Sequence, residues 1–197
     1  TLHGADHIGV AKAMNNIGLV YDAKNDYHLA MKYHKEAYRL RRLNLGDDHP
    51  KVASSLDNIA GLHQKQKSNE KALKCLKESL RIRTLKLGKD HLEVGTTLFG
   101  MGIIFCDMGN LDKAMECYNA SLSIRRRKLG RSSVEVAQTL HNMGSVYALK
   151  CDYGKALQHW KSSLDKYREA GLSDDHHMVA CTLGNIQMAE NLLEESD

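Results

Sequence analysis

A chain of 197 residues with 28 Lys and Arg against 24 Asp and Glu carries a formal net charge of only +4, too even a balance for a protein built around phosphate contacts. Hydrophobic residues make up 42% and there is one proline, Pro50, so almost nothing interrupts helices and an all-α fold is favoured. No apolar run approaches the roughly 20 residues of a membrane span and no signal-peptide pattern opens the sequence, so a soluble protein without membrane insertion is expected.

The sequence matches itself at an offset of 42 residues. His7, His49 and His91 open the same pattern, a further copy starts at Ser133, and a fifth starts at His176 after one inserted residue. Three places on stand Val10, Val52, Val94, Val136 and Val179, followed by Ala11, Ala53, Gly95, Ala137 and Ala180. A period of this size implies stacked supersecondary units, not one globular core. The expected organisation is a single array over 1–197, with repeats 7–48, 49–90, 91–132 and 133–175 and a final helix over 176–193. Gly4, Asp6 and His7 repeat the junction at Gly46, Asp48 and His49, so the array reads as excised from a longer chain.

In chain order, Val10, Met14, Ile17 and Tyr21, with Ala11 and Gly18 beside them, draw one apolar stripe on a first helix, A. Lys24, Asn25 and Asp26 supply a short turn, and a second stripe at Tyr27, Ala30, Met31, His34, Ala37, Tyr38 and Leu45 gives helix B. The corresponding turns fall at Lys67 to Asn69, Gly109 to Asn110 and Cys151 to Asp152. The unit is a helical hairpin. Gly18, Ala60, Gly102 and Gly144 on helix A, and Ala30, Ala72, Ala114 and Ala156 on helix B, are small where the two helices approach closely. The third copy departs from the pattern with Gly95 and Gly100, and the fourth junction, Glu169 to Asp175, carries the insertion.

These residues resemble the tetratricopeptide repeat. Its succession of a large apolar residue, Leu-Gly, Tyr, Ala, an aromatic and Ala is met by Met14, Ile17, Gly18, Tyr21, Ala30, His34 and Ala37, and again by Leu140, Met143, Gly144, Tyr147, Ala156, Trp160 and Ser163. The long period, the Leu-Gly-x-Asp-His junction at Leu45 to His49 and Leu87 to His91, and the pair Asn15-Asn16 are similar to the kinesin-light-chain type of the repeat. The resemblance implies a right-handed superhelical solenoid of antiparallel helix pairs, helix A lining a concave groove and helix B facing outward. It also implies a non-enzymatic module that binds an extended peptide segment of a partner protein, with a structural scaffold subunit or a regulatory domain of a larger protein as alternatives.

By that geometry the candidate peptide-binding residues are Lys12, Asn16, Asn58, Phe99, Ile103, Gln138, His141, Asn142 and Asn185. Asn16, Asn58, Asn142 and Asn185 form a ladder with its third rung missing at Gly100, and an Asn amide offers both donor and acceptor to an extended backbone. Their other reading is bonding inside the array. Phe99 and Ile103 place an apolar patch mid-groove beside His141, either as an anchor for a ligand side chain or with Phe99 turned into the inter-repeat core.

Other motifs point to no chemistry. Cys75, Cys106, Cys117, Cys151 and Cys181 form no C-x-x-C pair, which argues for a reducing, cytoplasmic compartment and against a metal site. The repeat-start histidines are read as junction residues too far apart to share a metal, and Gly4 argues against His3 and His7 sharing a helix. Arg39, Arg41, Arg42, Arg81, Arg83 and the run Arg125 to Lys128 sit near the ends of B helices, where cations complement the helix dipole, so nucleic-acid binding is not expected. No catalytic motif is present, and no cofactor is expected.

Overall fold

The computed structural model describes residues 2–195, with side chains described from residue 8 onward. Among the described residues all regular elements are α-helices: α1 Leu2–Ala23, α2 Tyr27–Leu45, α3 Pro50–Lys65, α4 Asn69–Leu87, α5 Leu92–Asp107, α6 Leu111–Leu129, α7 Val134–Leu149, α8 Tyr153–Glu169 and α9 His177–Glu194. Consecutive helices pack together, as hairpins in α1 with α2, α3 with α4 and α7 with α8, and between hairpins in α2 with α3, α6 with α7 and α8 with α9. Two compact units are formed, Thr1–Thr97 and Leu98–Asp197.

Helix starts are set by side chains that satisfy orphan backbone donors. The junction histidines are caps: His49 Nδ1 accepts from the Lys51 amide at 3.1 Å, His91 from Glu93 at 3.2 Å and His176 from Met178 at 3.3 Å. Ser133, which replaces the histidine, does the same with Val136 at 3.3 Å. Gly46, Gly88 and Gly130 end α2, α4 and α6 with φ of 83°, 85° and 87°. Against expectation, His3 and His7 do share α1; Gly4 does not break it, and their side chains lie outside the described residues.

The A-to-B turns use one left-handed residue each, at Asn25, Lys67, Gly109 and Cys151, with φ of 60°, 57°, 73° and 58°. Only the third copy places glycine there. An L side chain in this region costs about 1–2 kcal/mol, and less for Asn. Lys67→Gly and Cys151→Gly are therefore expected to raise unfolding free energy by about 1 kcal/mol each in urea titrations; unchanged midpoints would show that the turn carries no strain.

The small residues of helix A receive the ring of helix B. A Cβ on Gly18 would stand 2.8 Å from the His34 ring, on Gly102 2.5 Å from the Tyr118 ring, and on Gly144 2.7 Å from the Trp160 indole and 3.1 Å from the Ala156 carbonyl oxygen. The second copy, with Ala60 in place of glycine, has Leu76 in place of the ring. Glycine and ring thus vary together.

Between hairpins, arginines on helix B reach across to the next helix A. Arg41 Nη1 donates to Ser55 Oγ at 2.8 Å and to the Lys51 carbonyl at 3.1 Å. Arg83 makes the same bonds to Thr97 and Glu93, at 2.5 and 3.3 Å, and Arg125 to Thr139 and Glu135, both at 2.9 Å. Arg83 and Arg125 are 5% and 4% exposed, so these two are buried struts and not the solvated dipole partners expected from the sequence. The strut position recurs every 42 residues, which places it on the inward side of helix B. Arg126, one residue on, is exposed.

Candidate functional site

On the helix-A face of the second unit, α5, α7 and α9 each contribute side chains to one open cavity of about 270 Å³. Four of the expected residues line it: Phe99, Gln138, His141 and Asn142. Four more were not expected: Tyr167, His177, Met178 and Cys181. Cys181 was within reach of the sequence, since it stands in the fifth copy where Lys12 and Gln138 stand in the first and fourth. Tyr167 occupies the strut position of Arg125, a side-chain orientation that the periodic pattern alone does not reveal.

The cavity wall is held by bonds between successive repeats. His141 Nδ1 lies 2.9 Å from Thr182 Oγ1, and its Nε2 lies 3.5 Å from Asn185 Nδ2. The Gln138 amide reaches Met178 Sδ at 3.4 Å. Asn142 donates to the Tyr118 hydroxyl at 3.5 Å, because Phe99, its neighbour in the register, offers no acceptor. Phe99 is half-buried between the Arg125 guanidinium, 4.2 Å from its ring centroid, and the tilted Tyr118 ring at 5.7 Å. One side of Phe99 belongs to the core while the other lines the cavity.

Elsewhere the candidates are not gathered. In the first unit Asn58 Nδ2 donates to Asn15 Oδ1 at 2.8 Å, tying two A helices together. Lys12 and Asn16 are exposed; Ile103 is half-buried in the second unit but does not line the cavity. Asn58–Asn15 and Asn185–His141 share one register, each asparagine turned toward the first member of the pair in the preceding copy. These side chains are engaged within the array.

Burial holds His141 below the ordinary imidazole range, and the same cause lowers His34 and His63. A base whose pKa is depressed on folding takes up its proton first in the unfolded chain. Its contribution is complete above an unfolded value of about 6.5 and is lost as pH falls below it. The urea midpoint is expected to drop between about pH 7.5 and about pH 5.5, with a smaller drop in His141→Gln; equal drops in the two proteins would exclude His141 as a contributor.

A larger open groove, about 700 Å³, lies on the helix-B side of the first unit, where Tyr38, Leu73 and Ile82 form its floor under a mixed rim of Arg42, Lys77 and Glu78. Its rim charges are largely paired, Arg42 with Asp47 at 2.6 Å and Arg81 with Glu78 at 2.8 Å, so it presents no field of one sign. Cys75, Cys106 and Cys117 are half-buried with thiols pushed up by desolvation, whereas Cys151 and Cys181 are exposed. Among the described residues no three His, Cys, Asp or Glu converge as a metal site, and no helix is long and apolar enough to cross a membrane.

Three solved structures show the same fold. BtubC (BKLC) from P. vanneervenii superposes with a TM-score of 0.81 at 18% identity, covering 94% of this chain and 73% of that one. Two structures of a Podosopora anserina protein with nearly identical TPR-like repeats of kinesin-light-chain type, one of them a single-substitution variant, give TM-scores of 0.77 and 0.74 at 15% identity. They cover 96% and 93% of this chain and 93% and 91% of theirs. No curated protein matches the sequence. The tetratricopeptide-repeat family model matches residues 1–43, 26–84, 51–127 and 93–169 in overlapping steps. With these matches and the helix-pair architecture in agreement, the chain belongs to the tetratricopeptide-repeat family, whose domains generally mediate protein–protein interaction and are typically non-catalytic.

Proposed function

We propose that the chain is a non-enzymatic interaction module that holds an extended segment of a partner protein along the helix-A face of its second unit. One side chain of that segment sits in the cavity of Phe99, His141 and Asn142. The cavity carries this reading: at about 270 Å³ it is just below the roughly 300–1,000 Å³ typical of small-molecule sites, a size suited to a single side chain. Its lining is chiefly apolar and aromatic, with Gln138 and Asn142 able to orient a backbone passing over it. Stacked helices preorganise the receptor, so the ordering cost falls on the peptide. Asn58 is occupied by Asn15, so it contributes to rigidity and the anchor cavity carries recognition. The five free cysteines suit a reducing compartment such as the cytoplasm.

A screen of the protein against extended peptides tests this. Cys181 is exposed at the cavity edge, so Cys181→Phe is expected to fill the cavity and weaken a hit at least about tenfold without lowering Tm. Phe99→Ala is expected to cost about 2 kcal/mol of binding, and Arg126→Ala on the exposed side of α6 to change nothing. Binding lost on changing Arg126 and untouched by Cys181→Phe would instead select a scaffold that uses its outer helices.

A further inference from the structure

The outer groove of the first unit, about 700 Å³, is formed by α2, α4 and the junction that leads into α3. Its floor is apolar: Tyr38 is half-buried, and Val52, Leu73 and Ile82 lie at 9% exposure or less. The arginines of its rim are cancelled from within, Arg42 by Asp47 and Arg81 by Asp48 and Glu78. The lysines are not. Lys74 and Lys77 line the groove, are exposed, and have no ion-pair partner among the described residues. The remaining acid of the rim, Glu70, stands in the first turn of α4, where the helix dipole stabilises a carboxylate. Behind the paired arginines, the groove therefore keeps two ammonium groups at fixed places above an apolar floor.

The same two positions are lysine one 42-residue period earlier, at Lys32 and Lys35 of α2, both exposed and likewise outside any ion pair among the described residues. The two helices bring these charges near one another. Burial pushes the Cys75 thiol up, and Lys74 and Lys35 both oppose it. Burial lowers His63, and Lys71 and Lys35 lower it further. The second unit shows what completes such a lysine. There α6 has Glu116 and Asn119 at these positions, and α8 has Gln158 and Lys161, with Lys161 held by Glu190 of α9 at 2.8 Å. Glu190 occupies in the fifth copy the place that His63 occupies in the second, so Lys35 meets a neutral imidazole where Lys161 meets a carboxylate.

We propose that this groove docks a short acidic segment of a partner protein, with aliphatic side chains seated on Tyr38, Leu73 and Ile82 and carboxylates paired with Lys74 and Lys77, as Glu190 pairs with Lys161. The surface is separate from the helix-A cavity, and the assignment does not rest on what that cavity binds. The α4 wall runs from Glu70 to Ile82, about 18 Å of helix, which about five extended residues span. A phosphate polymer would match the lysines but has nothing to place on the apolar floor. Carboxylates and aliphatic groups in one segment satisfy both parts of the groove.

The probe is a phage-displayed library of random peptides of about seven residues, panned against the whole chain, with the hits resynthesised and titrated by fluorescence anisotropy. Hits abolished by Cys181→Phe belong to the cavity of the second unit and are set aside, so the two sites succeed or fail separately. The remaining hits are expected to carry at least two carboxylates and an aliphatic residue. Their affinity is expected to fall at least about tenfold when Lys74→Glu and Lys77→Glu are combined, and to be kept when both are changed to arginine. Both lysines are exposed, so Tm is expected to stay unchanged in either variant. No remaining hits, hits without carboxylates, or hits that survive the charge reversal overturn the proposal. So does tighter binding of phosphatidylserine vesicles or duplex DNA that the reversal abolishes, which would assign the groove to a phosphate-bearing partner. Self-association in sedimentation that the reversal abolishes would assign it to a second copy and overturns the proposal equally.

Discussion

Arg83→Ala is expected to lower the unfolding free energy by about 3–5 kcal/mol, the cost of breaking a buried ion pair from one side. The guanidinium lies 2.6 Å from Asp57 Oδ2 and 3.1 Å from Glu93 Oε2, and without it Asp57 keeps a largely buried carboxyl. Desolvation already pushes the Asp57 carboxyl up, with Arg83 opposing it. An acid whose pKa is raised on folding binds its proton more tightly in the folded state, so stability is regained as pH falls toward that raised value. The loss in Arg83→Ala should shrink from about pH 7 to about pH 5, and Asp57→Asn in the same background should recover part of it. Arg125→Ala provides the contrast. Its register partner is Phe99 and not a carboxylate, so no buried charge is orphaned; the loss is a cation–π contact and hydrogen bonds, about 2 kcal/mol together. Equal losses at Arg83 and Arg125 in chemical denaturation would refute the ion-pair account.

Gly144→Ala should cost about 1–3 kcal/mol through overpacking, despite the better helix propensity of alanine. The added methyl meets the Trp160 indole at 2.7 Å and a backbone oxygen at 3.1 Å, and moving the indole sacrifices its bond to the His141 carbonyl at 3.0 Å. The second copy supplies the remedy, because Ala60 and Leu76 occupy the same two places. Trp160→Leu alone leaves a void beside Gly144. Combined with Gly144→Ala it should be less harmful than the sum of the single changes, with a coupling of about 0.5–3 kcal/mol in a double-mutant cycle. Strict additivity would show that glycine and ring do not meet.

The hairpin and its turns are legible in the sequence because each depends on local, periodic signals: apolar steps of three and four, small residues opposite rings, and a junction histidine or serine before α3, α5, α7 and α9, which the structure shows to be their caps. The inward arginines are not, since a cation near a helix end satisfies the dipole argument whichever way it points; only the 42-residue recurrence of Arg41, Arg83 and Arg125 opposite Ser55, Thr97 and Thr139 marks them. Phe99, Gln138, His141 and Asn142 follow from their helix-A positions once the resemblance assigns that helix to the groove. Tyr167 escapes that reasoning because it comes from helix B, and Cys181 because the helix-A positions off the stripe have to be extended into the fifth copy to reach it. The asparagines read equally well as free amides or as internal ties, and what the sequence does not display is that Asn58 and Asn185 face the preceding repeat at a spacing close to the period itself. Val10 and Ile17 show the complementary failure: both belong to the apolar stripe of the first helix A, yet they stand 41% and 37% exposed.

The arginine struts also bear on how the chain acquires its structure during synthesis. Each closes over 14 residues, from Arg41 to Ser55, Arg83 to Thr97 and Arg125 to Thr139. Closing a loop of that length carries a small entropic cost, and topologies dominated by such near-neighbour contacts fold quickly. An interface between hairpins is thus nearly as local along the chain as the hairpin itself, and the guanidinium of one helix B finds its hydroxyl as soon as the first turns of the next helix have left the ribosome. Elongation from the N-terminus can then secure one rung at a time, leaving only the newest unpaired helix exposed to aggregation.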